Sequence, residues 1–435
     1  MRLWNTVFNE FSPDLILTSL DLTQYESKTL LTTAKSTAKD WSAHCLYLAV
    51  LMLLFSTYNS RAIALKYSGY GLAIVTILLL FFVDAKNTLR SLNTPIYKWL
   101  LLFLGINAVA LLQADSAYRL DAIEHYRKGL LQASLLAAAI AISLTNLGRI
   151  KWGIWVLGLA SLYITIFCLK EIINFPLQNA ILDHATLYRD YCFRFVFYFP
   201  FLIVLFATTV WPLKAGWLFL LSLQLALLAF SGFRGGWIGF LVILALWLYF
   251  FRPNRRTLIS VAALTVLLAV AASSSNYVLM KFKQADTGAR WDGAWRATVD
   301  MIKNKPLLGH GLSSQVFREE NNQLADQHPS WIIGKNLTGP HSIFLDSAFS
   351  AGLPALGVLL AIYWLVIRDT LWVIRTTANQ ALRKYAVASL CSFVGFFVVL
   401  GLTESLRWEL LGLSVGLTMS LVKVARNLEP SGRIR

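Results

Sequence analysis

Three arginine-bearing segments and two histidines hold the residues best suited to chemistry in this sequence. In SGFRGGW (231–237), Arg234 stands in a very short turn between two long apolar runs, flanked by Gly232, Gly235 and Gly236. A guanidinium presented there suits a phosphate or diphosphate, because its planar fork pairs with two oxygens at once; the alternative is an interfacial arginine that snorkels to lipid headgroups. TGARWDGAW (287–295) offers Arg290, with pairing to Asp286 or Asp292 as its ordinary alternative. Arg189 and Arg194, on either side of Tyr191, would add positive potential or simply anchor a helix flank. In GPHSIFLDSAFSAGLPALG (339–357), His341 sits between Pro340 and Ser342, both helix-start residues. The positive end of a helix favours the neutral imidazole, the form that accepts a proton from a hydroxyl; the alternative is a polar cap without chemistry. His310 in PLLGHG (306–311) reads as a turn residue between Gly309 and Gly311, with acid–base work as the second reading. No His/Cys/acid spacing matches a metal site, and no Walker or dinucleotide motif is present.

The elements that must position these residues are apolar. Of 435 residues, 57% are hydrophobic and 14% charged, with mean hydropathy +0.59. Soluble domains carry about a quarter charged residues. Runs of roughly 20 apolar residues recur along the chain, the length a bilayer core demands. Twelve spans are expected, near 41–57, 68–84, 96–113, 129–147, 152–170, 194–211, 213–231, 235–251, 256–272, 344–367, 384–403 and 409–425. The fold class is therefore all-α and polytopic, and soluble, fibrous and disordered classes are excluded. Ionisable side chains are almost absent from the spans apart from Asp346, which argues against a proton-coupled transporter. Four cysteines (Cys45, Cys168, Cys192, Cys391) lack CxxC spacing and read as free thiols.

The net charge of +16 is topological and does not mark a nucleic-acid surface. The even-numbered connections and their flanks hold 13 Lys/Arg against two acids, Asp84 and Asp369; the odd-numbered ones hold 18 against 15. Short basic loops stay cytoplasmic. Both termini and the even connections are thus expected in the cytoplasm and the odd ones outside or in the periplasm, in a multi-pass membrane protein. The segments divide as 1–40, an N-terminal piece without an evident signal peptide; 41–272, spans one to nine; 273–343, a long periplasmic loop with catalytic elements; 344–425, spans ten to twelve; and 426–435, a cytoplasmic tail. The loop reads as ordered. Its apolar positions Trp291, Ala294, Trp295, Val299 and Ile302 follow a helical stripe expected to lie at the membrane interface, with Asp292, Arg296 and Asp300 laddered on the other face. Lys305-Pro306 ends that helix. A shorter amphipathic segment, 118–128, lies on the same side.

The order of these motifs resembles the O-antigen ligase and polymerase superfamily. That pattern has a Ser-x-x-Arg-Gly turn, Gly-Arg-x-x-x-Trp followed by Pro-Leu-Leu-Gly-x-Gly, and His-Asn/Ser with a downstream Gly-x-x-Gly. The matching residues are Ser231 to Gly235, Arg290 with Trp295, Pro306 to Gly311, and His341-Ser342 with Gly352. Ala289 replaces a glycine, Trp295 lies five positions after Arg290, and the closing pair is stretched to Gly352 and Gly357. The resemblance implies a GT-C-like glycosyltransferase that uses neither metal nor other cofactor. Its donor would be an undecaprenyl-diphosphate-linked O-antigen and its acceptor lipid A–core, met among membrane lipids. His341, Arg234 and Arg290 would be catalytic, with Arg189, Tyr191 and Arg194 toward the donor. His310, Trp295 and Ser342 rank as secondary. Within the superfamily the ligase is favoured over the polymerase and the protein O-oligosaccharyltransferase; a flippase of lipid-linked glycans is the reading from another class. The charge count generates a direct expectation: a cysteine near Gln323 reacts with a membrane-impermeant thiol reagent in spheroplasts, and one near Asn254 does not. Labelling in the opposite sense would invert every placement above.

Overall fold

The computed structural model describes residues 13–57, 62–114, 116–174, 181–251, 270, 290–331, 334–404 and 408–429, without the side chains of 13–32, 34, 174, 181–189 and 290. Every element among the described residues is helical, as lipid requires of a chain that must satisfy its own backbone. In order these are α1 (Pro13–Ser56), α2 (Ile63–Leu92), α3 (Pro95–Ala110), α4 (Arg119–His125), a π turn (Tyr126–Leu131) running into α5 (Gln132–Ser143), α6 (Leu147–Asn174), α7 (Ile181–Thr208), α8 (Leu213–Phe230) and α9 (Arg234–Phe251). A π turn at Arg290–Trp295 leads into α10 (Arg296–Asn304), followed by α11 (Ser314–Gln327), α12 (Ile343–Thr376), α13 (Gln380–Phe393), a tail of π and 3₁₀ turns to Leu402, and α14 (Trp408–Leu428).

Ten of these segments are long and apolar enough to cross a membrane. The protein is a multi-pass, all-α membrane protein. Two of the twelve expected spans need separate mention. The fourth runs continuously through the π turn Tyr126–Leu131 into the 12 residues of α5, so its helix is irregular in its first part. It packs closely on α14, where Gly412 and Gly416 lie against the backbone of Ala133 and Ala137, an approach only small residues permit. The ninth, 256–272, lies outside the described residues apart from Val270. The four cysteines are free thiols.

Contacts between connections sort them to two ends. At one end Lys39 pairs with Asp84 (2.7 Å), Lys423 Nζ donates to Ser91 Oγ (2.8 Å), and the Ala378 N–H donates to Glu429 Oε1 (2.6 Å). These join the N-terminal piece, even connections and the C-terminal segment. At the other end Lys66 pairs with Glu409, Tyr118 donates to Glu319, and Ser313 Oγ donates to Asp121 Oδ2 (2.6 Å). These join odd connections only, and the candidate residues lie at this end.

α12 is not one straight helix. It breaks at Ala351 (φ −136°, ψ 16°) and Gly352 (φ 82°, ψ 175°), just before Pro354. Phe344 and Tyr363, nineteen positions apart, would stand about 28 Å apart along a continuous helix. Their ring centroids are 5.7 Å apart, so the half-helix 343–350 folds back on 353–376. The break is filled from outside. Pro354 has no N–H to give Ser350 O, and the Leu353 N–H turns to Pro306 O (2.7 Å); Phe349 O and Ser350 O instead accept from His310 N (2.8 Å) and Gly311 N (3.0 Å). The PLLGHG loop thus supplies the rungs the helix lacks.

This places different demands on the two glycines of the stretched closing pair. A Cβ on Gly352 would collide with the Leu307 carbonyl, and its backbone conformation is essentially restricted to glycine; a Cβ on Gly357 would meet nothing within 4 Å. Gly352→Ala should therefore destabilise the protein by about 1–3 kcal/mol or more, while Gly357→Ala should be neutral or slightly stabilising. Thermal unfolding of both variants in detergent checks this, and equal behaviour would refute the assigned fold-back.

Candidate active site

The loop between α9 and α12 builds a small core of its own. Ala297, Met301, Ile302, Phe317, Leu324 and Phe349 pack together, so the stripe of α10 faces α11 and α12. Part of the face that its amphipathic pattern suggests for the membrane interface is covered by protein, because the folded-back half-helix offers an apolar surface nearer at hand. Of the expected stripe, Ala294 and Ile302 are buried while Trp291 and Val299 stay exposed. The ladder on the other face does not form either. The Arg296 guanidinium lies over the Trp331 ring at 4.2 Å, and Asp300 approaches Lys303 (3.8 Å). An aromatic face competes well for a guanidinium at an exposed site.

The Arg290–Trp295 turn is tied to the histidine segment. The Trp295 indole N–H donates to Pro340 O (3.1 Å), one residue before His341. His341 is half-buried with φ 52°, in the left-handed region. Ser342 is the N-cap of α12 in extended conformation, and its hydroxyl makes no capping bond. His341 therefore lies outside the helix, one position before the cap. It does not serve as the cap.

Arg234 opens α9, positioned by a turn in which Ser231 Oγ donates to Leu228 O (2.7 Å) and accepts from Phe233 N (3.2 Å). It is half-buried and forms no hydrogen bond or ion pair among the described residues. The segment after α13 joins it to the histidine. A Cβ on Gly235 would touch Leu400 Cδ2 (3.2 Å) and Thr403 Oγ1 (3.3 Å), and one on Gly401 would lie 2.9 Å from Ile343 Cγ2. The arginine turn and the start of α12, over a hundred residues apart in sequence, thus pack on one short connection.

Tyr191 and Arg194 reach the same neighbourhood. The Arg194 guanidinium lies 5.2 Å from the Tyr191 ring centroid, and Phe193 between them faces Phe233 (6.1 Å). The side chains of Arg189 and Arg290 lie outside the described residues. Arg189 belongs to the first turns of α7, and Arg290 begins the turn that Trp295 ties to Pro340.

His310 is not the turn residue its flanking glycines suggest. It is buried (3% exposed), stacked on Phe349 with centroids 4.7 Å apart and planes 3° from parallel. Nε2 contacts Met301 O (2.8 Å) and Nδ1 contacts Glu320 Oε1 (3.2 Å). Both ring nitrogens are thus engaged by groups within the protein, and neither is free to meet an acceptor hydroxyl. That arrangement is unsuited to a general base. Glu320 went unnoticed in the sequence because nothing in its local pattern announces a partner ten residues back.

All of these segments from Arg234 to Gly352 lie within one match. Residues 217–360 fit the family model described as O-antigen ligase. This stretch is similar to the O-antigen ligase family. Over 240 residues the chain is also 26% identical to an O-antigen ligase of Salmonella typhimurium (strain LT2), covering 52% of this chain and 57% of that protein. The chain thus spans less than two thirds of that relative's length. The helices before residue 217 lie outside that match, yet they supply Tyr191, Arg194 and the α4 contact to Ser313.

The charged clamp in this stretch has a pH signature. The hydrogen bond from His310, reinforced by its charge, holds the Glu320 carboxyl below its ordinary range. A depressed carboxylate contributes stability that is fully present above the unfolded value and lost as pH falls through the folded one. Acid unfolding followed between neutral pH and pH 3 should therefore be shallower in Glu320→Gln than in the parent protein. Parallel curves would remove the pair from the stability of the loop.

Proposed function

We propose that the protein is an inverting O-antigen ligase acting at the periplasmic face of the inner membrane. It transfers O-antigen from undecaprenyl diphosphate to a sugar hydroxyl of lipid A–core. The observation that carries this reading is the packing of the Arg234 turn and the His341 segment on one connection, with a half-buried guanidinium that has no partner among the described residues. A cation kept half out of water without a counter-charge among the described residues suits a diphosphate whose lipid tail remains in the bilayer. The match to the O-antigen ligase family and the Salmonella relative favour the ligase over other enzymes with the same chemistry.

In this reaction the acceptor oxygen forms a bond to the anomeric carbon as the bond from that carbon to the diphosphate oxygen breaks. Arg234 and Arg290 take up the negative charge that develops on the leaving diphosphate, the countercharge other transferases draw from a metal. His341 accepts the proton of the attacking hydroxyl. The adjoining start of α12 favours the neutral imidazole needed for that step. Attack opposite the leaving group inverts the anomeric centre. Arg189 and Arg194 add positive potential along the approach of the donor, with Tyr191 beside the Arg194 guanidinium.

The left-handed backbone at His341 makes asparagine the informative replacement, since Asn enters that region readily whereas Ala is strained there. In single-turnover transfer by purified protein, with saturating lipid-linked O-antigen and lipid A–core, His341→Asn should fold and bind donor but lose about 10²–10⁴-fold in rate. Arg234→Ala should lose donor binding, and Arg234→Lys should recover little of it. An Asn variant within a few-fold of the parent would reduce His341 to shaping the turn. A parent protein that moves the lipid-linked glycan across vesicles without forming product would replace the ligase with a flippase.

A further inference from the structure

His310 is used four ways at once. Its backbone N–H fills a missing rung at the break of α12 (Phe349 O, 2.8 Å), and its ring stacks on Phe349. Nε2 donates to Met301 O (2.8 Å), one of the last four carbonyls of α10, which have no partner within the helix. Nδ1 pairs with Glu320 of α11 (3.2 Å). At its other end the same helical unit is tied by Trp295 to Pro340, next to His341. The segment that begins at Arg290 is therefore fastened to the two ends of half-helix 343–350, by Trp295 near its start and by His310 near its end.

We infer that His310 is a positioning residue: with Glu320 it clamps the Arg290–Asn304 unit to the folded-back half-helix and so sets the register between Arg290 and His341. This rests on the roles given above to Arg290 and His341, but the clamp itself is a matter of geometry. The ring touches no substrate and exchanges no proton during turnover. Displacement of a reacting group by about 1 Å costs on the order of 100-fold in rate, so loss of the clamp reads out as loss of turnover with donor still bound.

Four purified full-length proteins test it: the parent, His310→Ala, His310→Gln and Glu320→Gln. Glutamine separates the two roles of the ring. Its amide nitrogen carries two protons, enough for Met301 O and Glu320, yet it is no base. The measurements are single-turnover rate, donor affinity, and backbone deuterium uptake over 296–304 and 339–350. His310→Ala should slow turnover by about 100-fold, change donor affinity by no more than a few-fold, and raise uptake in both segments. His310→Gln should recover most of both the rate and the protection. Glu320→Gln, with the ring intact, should give smaller changes in the same direction, and it decides the matter if His310→Ala fails to fold. A Gln variant protected like the parent but as slow as the Ala variant would overturn the proposal and make His310 a chemical participant. An unchanged rate and uptake in Glu320→Gln would overturn it too. If the parent itself transfers nothing, the ligase reading fails, and deuterium uptake alone then decides the clamp.

Discussion

The architecture of the candidate site depends on an exchange of backbone hydrogen bonds at Gly352. A buried carbonyl without a donor is costly, and Pro354 guarantees that a continuous α12 would leave one at Ser350. The chain meets this by breaking the helix and admitting the Pro306–Gly311 turn, which gives two N–H groups and receives one. Neither partner is complete alone. The half-helix needs the loop for its carbonyls, and the loop needs the break for its N–H groups and for the room between Gly309 and Gly352.

The rest of the site's geometry follows from that joint. Because the half-helix folds back, His341 returns toward the bundle and does not project from the end of a long straight helix. Ile343 then meets Gly401, and through the same short connection the Arg234 turn is brought to the same place. α10 lies along the half-helix as a strut, pinned at Pro340 and at His310. An arrangement assembled from residues 231–235, 290–311 and 339–352 is thus held chiefly by main-chain groups and two side-chain donors.

The first outer connection completes the frame. Tyr118 and Asp121 hold α11 through Glu319 and Ser313, and Ala114 lies under Gly311. The π turn that follows places Gly129 against Trp408 at the start of α14. π turns disturb helical register and recur near functional sites. Here one marks where an outer helix becomes a buried one, α5, which packs closely on α14.

Composition and the spacing of apolar runs were sufficient to establish a polytopic all-α membrane protein, because the length of a bilayer-crossing helix is set by the solvent and not by tertiary context. The same patterns located the end of α10 at Lys305-Pro306 and singled out Arg234, Trp295, His341 and the PLLGHG turn. What the sequence left undecided was every relation between segments distant in the chain. An amphipathic stripe shows that α10 has an apolar face without saying whether lipid or protein covers it, and the folded-back half-helix made protein the answer for part of it. The glycines around His310 suggested a turn, but its burial and its clamp on Met301 and Glu320 arise from three helices converging. The apolar run beginning at Ile343 read as one span, since hydropathy does not register the direction of a helix. Only the tertiary structure, by supplying partners for the carbonyls of Phe349 and Ser350, made the break at Gly352 the lower-energy course.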